Sequence, residues 1–273
     1  MKLNDSSILI IGESGVGKTH YGAQLLMKLQ QKDSQLRMNG AANNLEPFSE
    51  AMDRLNEGLA AEHTPVSNYV ESIWPIIDSD GVNGQLIWPD YGGEQVSNIS
   101  ALRSVPQEWL TRVMESSSWL FMIRTNLYRL QDDVFSRPLE SGKKAPISEI
   151  SRAEVSDQAR LVELIQILIY LRKGATSRRK PKICFLLSCW DELNTDSTPS
   201  ELFRQSLPML NEFIQSYWNE PLIMGLSSLG KSLDKINKDK DYIDSGPEKF
   251  GYVIFPDGNS DPDITIPIKL LIS

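Results

Sequence analysis

The chain has 273 residues, of which 40% are hydrophobic and 23% are charged, and its formal net charge is −8. This composition is ordinary for a folded protein with a full hydrophobic core. The acidic balance argues against a general binder of nucleic acid or of anionic membranes, since both need a basic face, and no apolar run reaches the ~18 residues of a membrane span.

The two cysteines indicate the compartment. Cys184 and Cys189 lie in one predicted strand and at its end, where they are poorly placed to pair with each other. With so few cysteines and no signal peptide, we expect a protein of the reducing cytoplasm.

The first motif along the chain is a phosphate-binding loop at residues 12–19, of the form G-x-x-x-x-G-K-[ST]. An apolar strand at 6–11 enters the loop and a helical pattern follows it, which is the context that the motif requires. Glycines let the backbone wrap round an anion, so that successive N–H groups point at a phosphate. We expect Lys18 to reach the β- and γ-phosphates and the Thr19 hydroxyl to bind Mg²⁺. The residues predicted to bind nucleotide here are Glu13, Ser14, Gly15, Val16, Gly17, Lys18, Thr19 and His20.

A second group of candidates follows a predicted helix at residues 47–61. An extended segment contains Thr64, and two strands at 69–77 and 85–90, joined by Asp, Asn and Gly residues, predict an antiparallel hairpin. The hairpin runs into Asp90-x-x-Gly93. A carboxylate at a strand end beside the phosphate loop can hold Mg²⁺, and a glycine can offer its N–H to a γ-phosphate. A β-turn without a ligand is the alternative interpretation of this short pattern.

The rest of the chain alternates helices and strands. Helices are predicted at residues 100–116, 155–173 and 200–218 and from about Pro267 onward. Strands are predicted at 118–124, 183–187 and 222–226, with an extra strand or extended segment at 252–255. The basic cluster at 178–182 is interpreted as a solvated loop, which a partner's acidic face could use. No repeat or linker is visible, so we expect one elaborated domain over 1–273 with insertions near 33–62, 126–157 and 230–262.

Four of these elements stand at the carboxyl ends of predicted strands, where ligands sit in open parallel sheets. The set resembles the G motifs of Ras-like, translation-factor-related (TRAFAC) GTPases. The loop at 12–19 is similar to the first motif and Asp90-x-x-Gly93 to the third, while Asp191 resembles the base-reading aspartate of the fourth motif. The resemblance implies an α/β fold: a three-layer P-loop NTPase of the Ras-like kind, with a mostly parallel sheet, one antiparallel strand and several insertions.

The same resemblance implies roles for further residues. Leu226-Ser227-Ser228 is similar to the fifth motif, and Thr64 is the candidate for the switch I threonine that closes on Mg²⁺ and the γ-phosphate. The additional nucleotide-binding residues are Gly93, Asp191, Ser227 and Ser228. The implied metal ligands are Thr19, Thr64 and Asp90. The implied catalytic residues are Lys18, Thr64, Glu94 and Gln95.

Two departures from the family pattern bear on function. The fourth motif, usually Asn/Thr-Lys-x-Asp, reads Ser188-Cys189-Trp190-Asp191. The retained aspartate favours GTP because it accepts two hydrogen bonds from the guanine edge. Either Trp190 or Cys189 could replace the surface of the missing lysine. Glu94 stands where the family carries a water-orienting glutamine, with Gln95 one residue later, so we expect slow intrinsic turnover.

A narrower resemblance rests on the form of the fourth motif, Trp-Asp-Glu-Leu at 190–193, and on the tail at 251–258. Both resemble the bacterial double-GTPase families, in which two such GTPases are encoded side by side, often in conflict or defence loci. This implies a partner GTPase and an effector.

Three functions are compatible with these residues. The first is a GTPase switch that binds Mg²⁺ with GTP or GDP and signals to a protein partner. The second is an interaction module that binds GTP and barely hydrolyses it. The third is a P-loop ATPase or kinase, for which Arg124, Arg129 and Arg137 are the available arginines, although they are interpreted as surface residues.

Overall fold

The fold, described here from a computed structural model, is built on a large β-sheet. The structure describes residues 6–61, 70–90, 96, 98–99, 102–128, 156–173 and 180–273, and the statements below concern these residues. The strands are β1 (Ser6–Gly12), β2 (Leu36–Met38), β3 (Val70–Asp78), β4 (Asn83–Asp90), β5 (Ser118–Ile123), β6 (Lys182–Ser188), β7 (Leu222–Ser227), β8 (Tyr252–Ile254) and β9 (Ser260–Asp261). They form one nine-stranded sheet in the order β2-β3-β4-β1-β5-β6-β7-β8-β9.

The centre of the sheet is parallel. Strands β4, β1, β5, β6 and β7 run in one direction, which confirms the predicted mostly parallel α/β sheet. Strand β3 runs against β4 and forms the predicted hairpin with it. The sequence predicted a single antiparallel strand, whereas the structure adds a second: β8 runs against β7 and buries Val253 at that end of the sheet.

Helices cover both faces of the sheet. They are α1 (Lys18–Lys28), α2 (Glu46–Asn56), α3 (Gln107–Glu115), α4 (Asp157–Lys173), α5 (Pro199–Ser206), α6 (Pro208–Tyr217), α7 (Lys240–Ser245) and α8 (Ile266–Ile272). Because side chains alternate along a strand, Ile8 and Ile10 pack with α1, α2 and α8, while Leu9 and Ile11 pack with α3 to α6. The predicted three-layer arrangement is therefore confirmed. Among the described residues, no helix combines the length and apolar character needed to cross a membrane.

Several predicted boundaries were wrong for local physical reasons. The single helix predicted at 200–218 is two helices, because Pro208 supplies no N–H and Leu207 before it adopts φ −134° and ψ 56°. Helix α2 ends at Asn56, short of the predicted 61, with Gly58 in the left-handed region at φ 68°. Helix α3 begins at Gln107, directly after Pro106, which is close to the alternative start near Val105 that this proline indicates. The polar stretch at 33–44 contains the unpredicted strand β2, which pairs with β3.

Candidate nucleotide-binding site

The candidate site lies where several parallel strands end. Gly12 at the end of β1 is in register with Met122 of β5, and Ile123 is in register with Leu187 of β6. Ser188 in turn is in register with Leu226 of β7. The loops that leave these strands therefore start at one edge of the sheet, which is the usual position of a ligand in an open α/β fold.

The loop after β1 has the backbone of a phosphate cradle. Gly15 and Gly17 adopt φ values of 79° and 82°, which side chains with a Cβ rarely tolerate. Gly17 is the N-cap of α1, it makes no side-chain cap, and the first turn of the helix has no acidic residue. A helix N-terminus without an acidic residue in its first turn has a dipole that favours an anion. Gly12 is also closely packed, since a Cβ there would lie 2.9 Å from Cγ2 of Val16.

Lys18 is held over this loop. Its Nζ donates to the carbonyl oxygens of Gly12 and Glu13, both at 2.8 Å. The ammonium group is therefore already placed beside the backbone that would receive the phosphates. Ser14 is exposed, whereas the side chain of Val16 is buried in the core, so Val16 can meet a ligand only through its backbone.

Asp191 and Ser227 meet across the ends of β6 and β7. The Ser227 hydroxyl donates to Oδ1 of Asp191 at 2.5 Å and accepts from the Gly230 N–H at 2.8 Å. Ser227 and Ser228 are both buried. The serine fixes the orientation of the Asp191 carboxylate, which lies in the short 3-10 helix Trp190–Glu192.

The structure distinguishes between Trp190 and Cys189 as replacements for the lysine that the fourth motif lacks. Trp190 is buried in the hydrophobic core, against Gly225. Cys189 adopts a left-handed conformation at φ 55°, and its Sγ lies 3.8 Å from the position of a Cβ built on Gly17. Burial raises the pKa of the Cys189 thiol to about 11, so it is a neutral group at pH 7. Cys189, and not Trp190, lies beside the phosphate loop.

Gly225 allows a test of this arrangement. We expect Gly225→Ala to destabilise the protein by about 1–3 kcal/mol and to weaken nucleotide binding, because overpacking pushes on the neighbouring side chain. The added methyl would lie 2.6 Å from Cε3 of Trp190, next to Asp191. Thermal unfolding and GTP titration would measure the two effects. Gly81→Ala is the control: φ is 84° there and nothing lies within 4 Å of the added methyl, so only stability should fall.

Arg124, which the sequence offered only as one of three arginines for an ATPase or kinase, makes contacts at the candidate site that were not predicted. It follows β5 directly and donates from Nη1 to the Gly15 carbonyl at 3.2 Å and from Nη2 to Oε2 of Glu192 at 2.6 Å. Asn126 donates to the same carboxylate oxygen at 3.0 Å. The Arg124 side chain is 27% exposed, and from this partly exposed position it joins the phosphate loop to the segment that carries Asp191. Its place at a strand end, beside the other candidates, was the available signal.

Glu13 has a protein partner in addition to its place in the loop. Its carboxylate is buried, forms an ion pair with Arg160 of α4 and accepts from the Tyr128 hydroxyl at 3.2 Å. Burial raises the pKa of Tyr128, which keeps the hydroxyl protonated as a donor. His20 also has a protein partner: its Nε2 accepts from the Ala61 N–H at 3.0 Å. The nucleotide contacts of both residues stay predictions.

Several predicted residues lie outside the described part of the chain. These are Thr64, Gly93, Glu94 and Gln95. Asp90 ends strand β4, which runs parallel to β1. Thr19 is in the first turn of α1. A threonine hydroxyl and an aspartate on adjacent elements are oxygen donors of the kind that Mg²⁺ prefers, so the residues present fit this ion.

The fold and the phosphate loop define the class: this is a P-loop nucleotide-binding protein. The Double-GTPase 1 family matches residues 9–271, so the chain belongs to that family. Membership of this family identifies the chain as a GTP-binding protein. A search of curated proteins finds no match.

Two solved structures resemble the chain at low identity. One is a bacterial selenocysteine-specific elongation factor, with 12% identity and a TM-score of 0.39, covering 83% of this chain and 26% of the factor. The other is the S. cerevisiae Ski7 GTPase-like domain bound to GTP, with 14% identity and a TM-score of 0.45, covering 84% of this chain and 44% of that one. The chain thus spans about a quarter of the elongation factor and less than half of the Ski7 chain.

Proposed function

We propose that the protein binds Mg²⁺ and GTP at residues 12–19, hydrolyses GTP slowly to GDP and phosphate, and acts as a conformational switch toward a protein partner. The observation that carries the proposal is the phosphate loop, with Lys18 held at 2.8 Å from two of its carbonyls, on the same sheet edge as the Asp191–Ser227 pair. The loop and Lys18 would neutralise the phosphates, while the oriented carboxylate would read the base.

The base preference follows from hydrogen bonding. Guanine presents two neighbouring donors, and the ionised carboxylate of Asp191 is acceptor-only, so the two match; adenine offers no such pair. Ser227 supports this role because its hydroxyl holds one carboxylate oxygen. A competing ATPase or kinase would need arginines over the phosphates. Of the three candidates, Arg124 donates to the Gly15 carbonyl and to Glu192, while Arg129 and Arg137 lie outside the described residues.

Thr19, Asp90 and Thr64 are proposed to hold Mg²⁺, which would supply positive charge to the phosphates when bound. Glu94 is proposed to account for slow turnover, because a carboxylate is a poor partner for water beside a charged phosphate. Gln95 is the nearest neutral substitute. Gly93 would offer its N–H to the γ-phosphate, so hydrolysis would release the segments that contain Thr64 and Gly93.

The proposal extends to the cellular context. Family membership supports a second GTPase or an effector as the partner, in a bacterial conflict or defence system. We propose one elaborated GTPase domain over 1–273 and a cytoplasmic location. The described thiols of Cys184 and Cys189 are both free, which is compatible with a reducing compartment.

A competition titration tests the base and the metal together. We expect GTP and GDP to bind with Mg²⁺ at least about a hundredfold more tightly than ATP, because a site that hydrogen-bonds one base rejects an analogue that leaves its groups unpaired. Calorimetry with GDP, a non-hydrolysable GTP analogue and ATP, each with and without EDTA, provides the measurement. Tighter binding of ATP would overturn the proposal in favour of an ATPase or kinase.

The second candidate is an interaction module that binds GTP and barely hydrolyses it, and Glu94 favours it. Single-turnover release of phosphate from bound GTP separates the two functions. Slow release, accelerated by a partner, supports the switch. No release above the buffer rate, with or without a partner, supports the module.

A further inference from the structure

Glu13 places a negative charge inside the phosphate loop itself. It is the second residue of the loop, its side chain is only 10% exposed, and its own carbonyl accepts a hydrogen bond from Lys18. A nucleoside triphosphate brings several further negative charges to this loop. Like charges repel more strongly in the interior of a protein than in water, because the interior screens them less. An uncompensated Glu13 would therefore oppose the ligand that the loop is built to bind.

Arg160 supplies the compensating charge from a distant part of the chain. Its guanidinium forms an ion pair with the Glu13 carboxylate, and its Nη2 also lies 3.2 Å from Oδ1 of Asp157 in the first turn of α4. The arginine side chain is 26% exposed. Burial lowers its pKa, but an arginine starts so high that it stays charged at pH 7.

We propose that Arg160 sets the nucleotide affinity of the phosphate loop by neutralising Glu13, so that its contribution grows with the number of phosphates on the ligand. Arg160 acts through Glu13 and is a positioning residue in this sense, not a catalytic one. The inference rests on the proposed function, because it assumes that the loop binds a nucleotide. Through Arg160, helix α4, which follows the 126–157 insertion, would influence the net charge at the phosphate loop.

Two other roles for Arg160 make different predictions. A structural tether between α4 and the loop would be lost whenever Arg160 is removed, whatever stands at position 13. If Arg160 bound a phosphate directly, its removal would weaken binding equally whether residue 13 is Glu or Gln. Charge compensation alone predicts that neutralising Glu13 removes the need for Arg160.

The test is a double-mutant cycle on the full chain, with Kd values for GTP analogue and GDP from calorimetry. We expect Arg160→Ala to weaken GTP binding by about tenfold and GDP binding by less. Glu13→Gln should strengthen binding of both. The double variant E13Q/R160A should return to within about threefold of the wild-type affinity for GTP. Arg103→Ala is the matched control. Arg103 is 79% exposed and pairs with Glu163, which lies on helix α4 as Arg160 does.

The outcomes separate the proposals. Equal weakening of GTP and GDP binding, or a double variant as weak as Arg160→Ala, overturns charge compensation. Wild-type affinity in Arg160→Ala overturns it as well. If Arg160→Ala fails to fold, as thermal unfolding would show, the double variant decides alone by the same threefold criterion. Failure of the proposed function has a different signature: the wild-type protein would then bind no GTP.

Discussion

Replacing Lys18 with alanine is expected to weaken the binding of GTP by on the order of a thousandfold, to the limit of a calorimetric titration. The physical reason is that the ammonium group is held at 2.8 Å from the Gly12 and Glu13 carbonyls, beside the backbone that would meet the phosphates. Its removal deletes the one cation of the loop itself and leaves the carboxylate of Glu13 nearby. Titration with GTP analogue and with GDP would measure the loss.

A matched control makes this result specific. Lys238→Ala removes an exposed lysine that pairs with Glu57 far from the loop in sequence, and it should leave the affinity unchanged. Thermal unfolding without nucleotide would show that Lys18→Ala still folds. A folded Lys18→Ala protein that binds GTP as tightly as the wild type would remove the phosphate loop from the proposed function.

The parts of the fold that follow from local patterns could be predicted from the sequence. The spacing of residues 12–19 and the strand before them identified a phosphate loop, and the structure has left-handed glycines at Gly15 and Gly17. The apolar strands and the hairpin with Asp and Gly in its turn predicted the order of β3 and β4. Asp191 and Ser227 could be placed together because parallel strands end at a common edge.

The contacts that were missed join residues far apart in the sequence. Arg160 and Glu13 are separated by more than half of the chain, and Arg124 meets both Gly15 and Glu192. The partner of a charged residue on a predicted helix or loop cannot be predicted from the periodicity of the local sequence. Only the packing of α4 against the sheet decides that Arg160 reaches the loop. The choice between Trp190 and Cys189 likewise depended on which side chain the core buries.

Replacing Asp191 with asparagine is expected to weaken GTP binding by on the order of a hundredfold and to favour a xanthine nucleotide over GTP. The carboxylate is acceptor-only and suits the two donors of guanine, whereas an amide carries one acceptor and one donor. Xanthine replaces the exocyclic amino group of guanine by an oxygen, so it matches the amide. The fold should survive, because the amide oxygen can still accept from Ser227, as Oδ1 of Asp191 does at 2.5 Å.

Competition of GTP, XTP and ATP on both proteins would measure this change. Asp196→Asn is the control, since Asp196 is an exposed carboxylate five residues further along the same loop and its change should not alter base preference. An asparagine variant that keeps the wild-type preference for GTP would show that Asp191 does not read the base. Equal weakening of GTP, XTP and ATP would instead assign Asp191 to the structure of the loop. A reversed preference requires the carboxylate to contact the base edge, because no loss of folding can turn a rejected base into the preferred one.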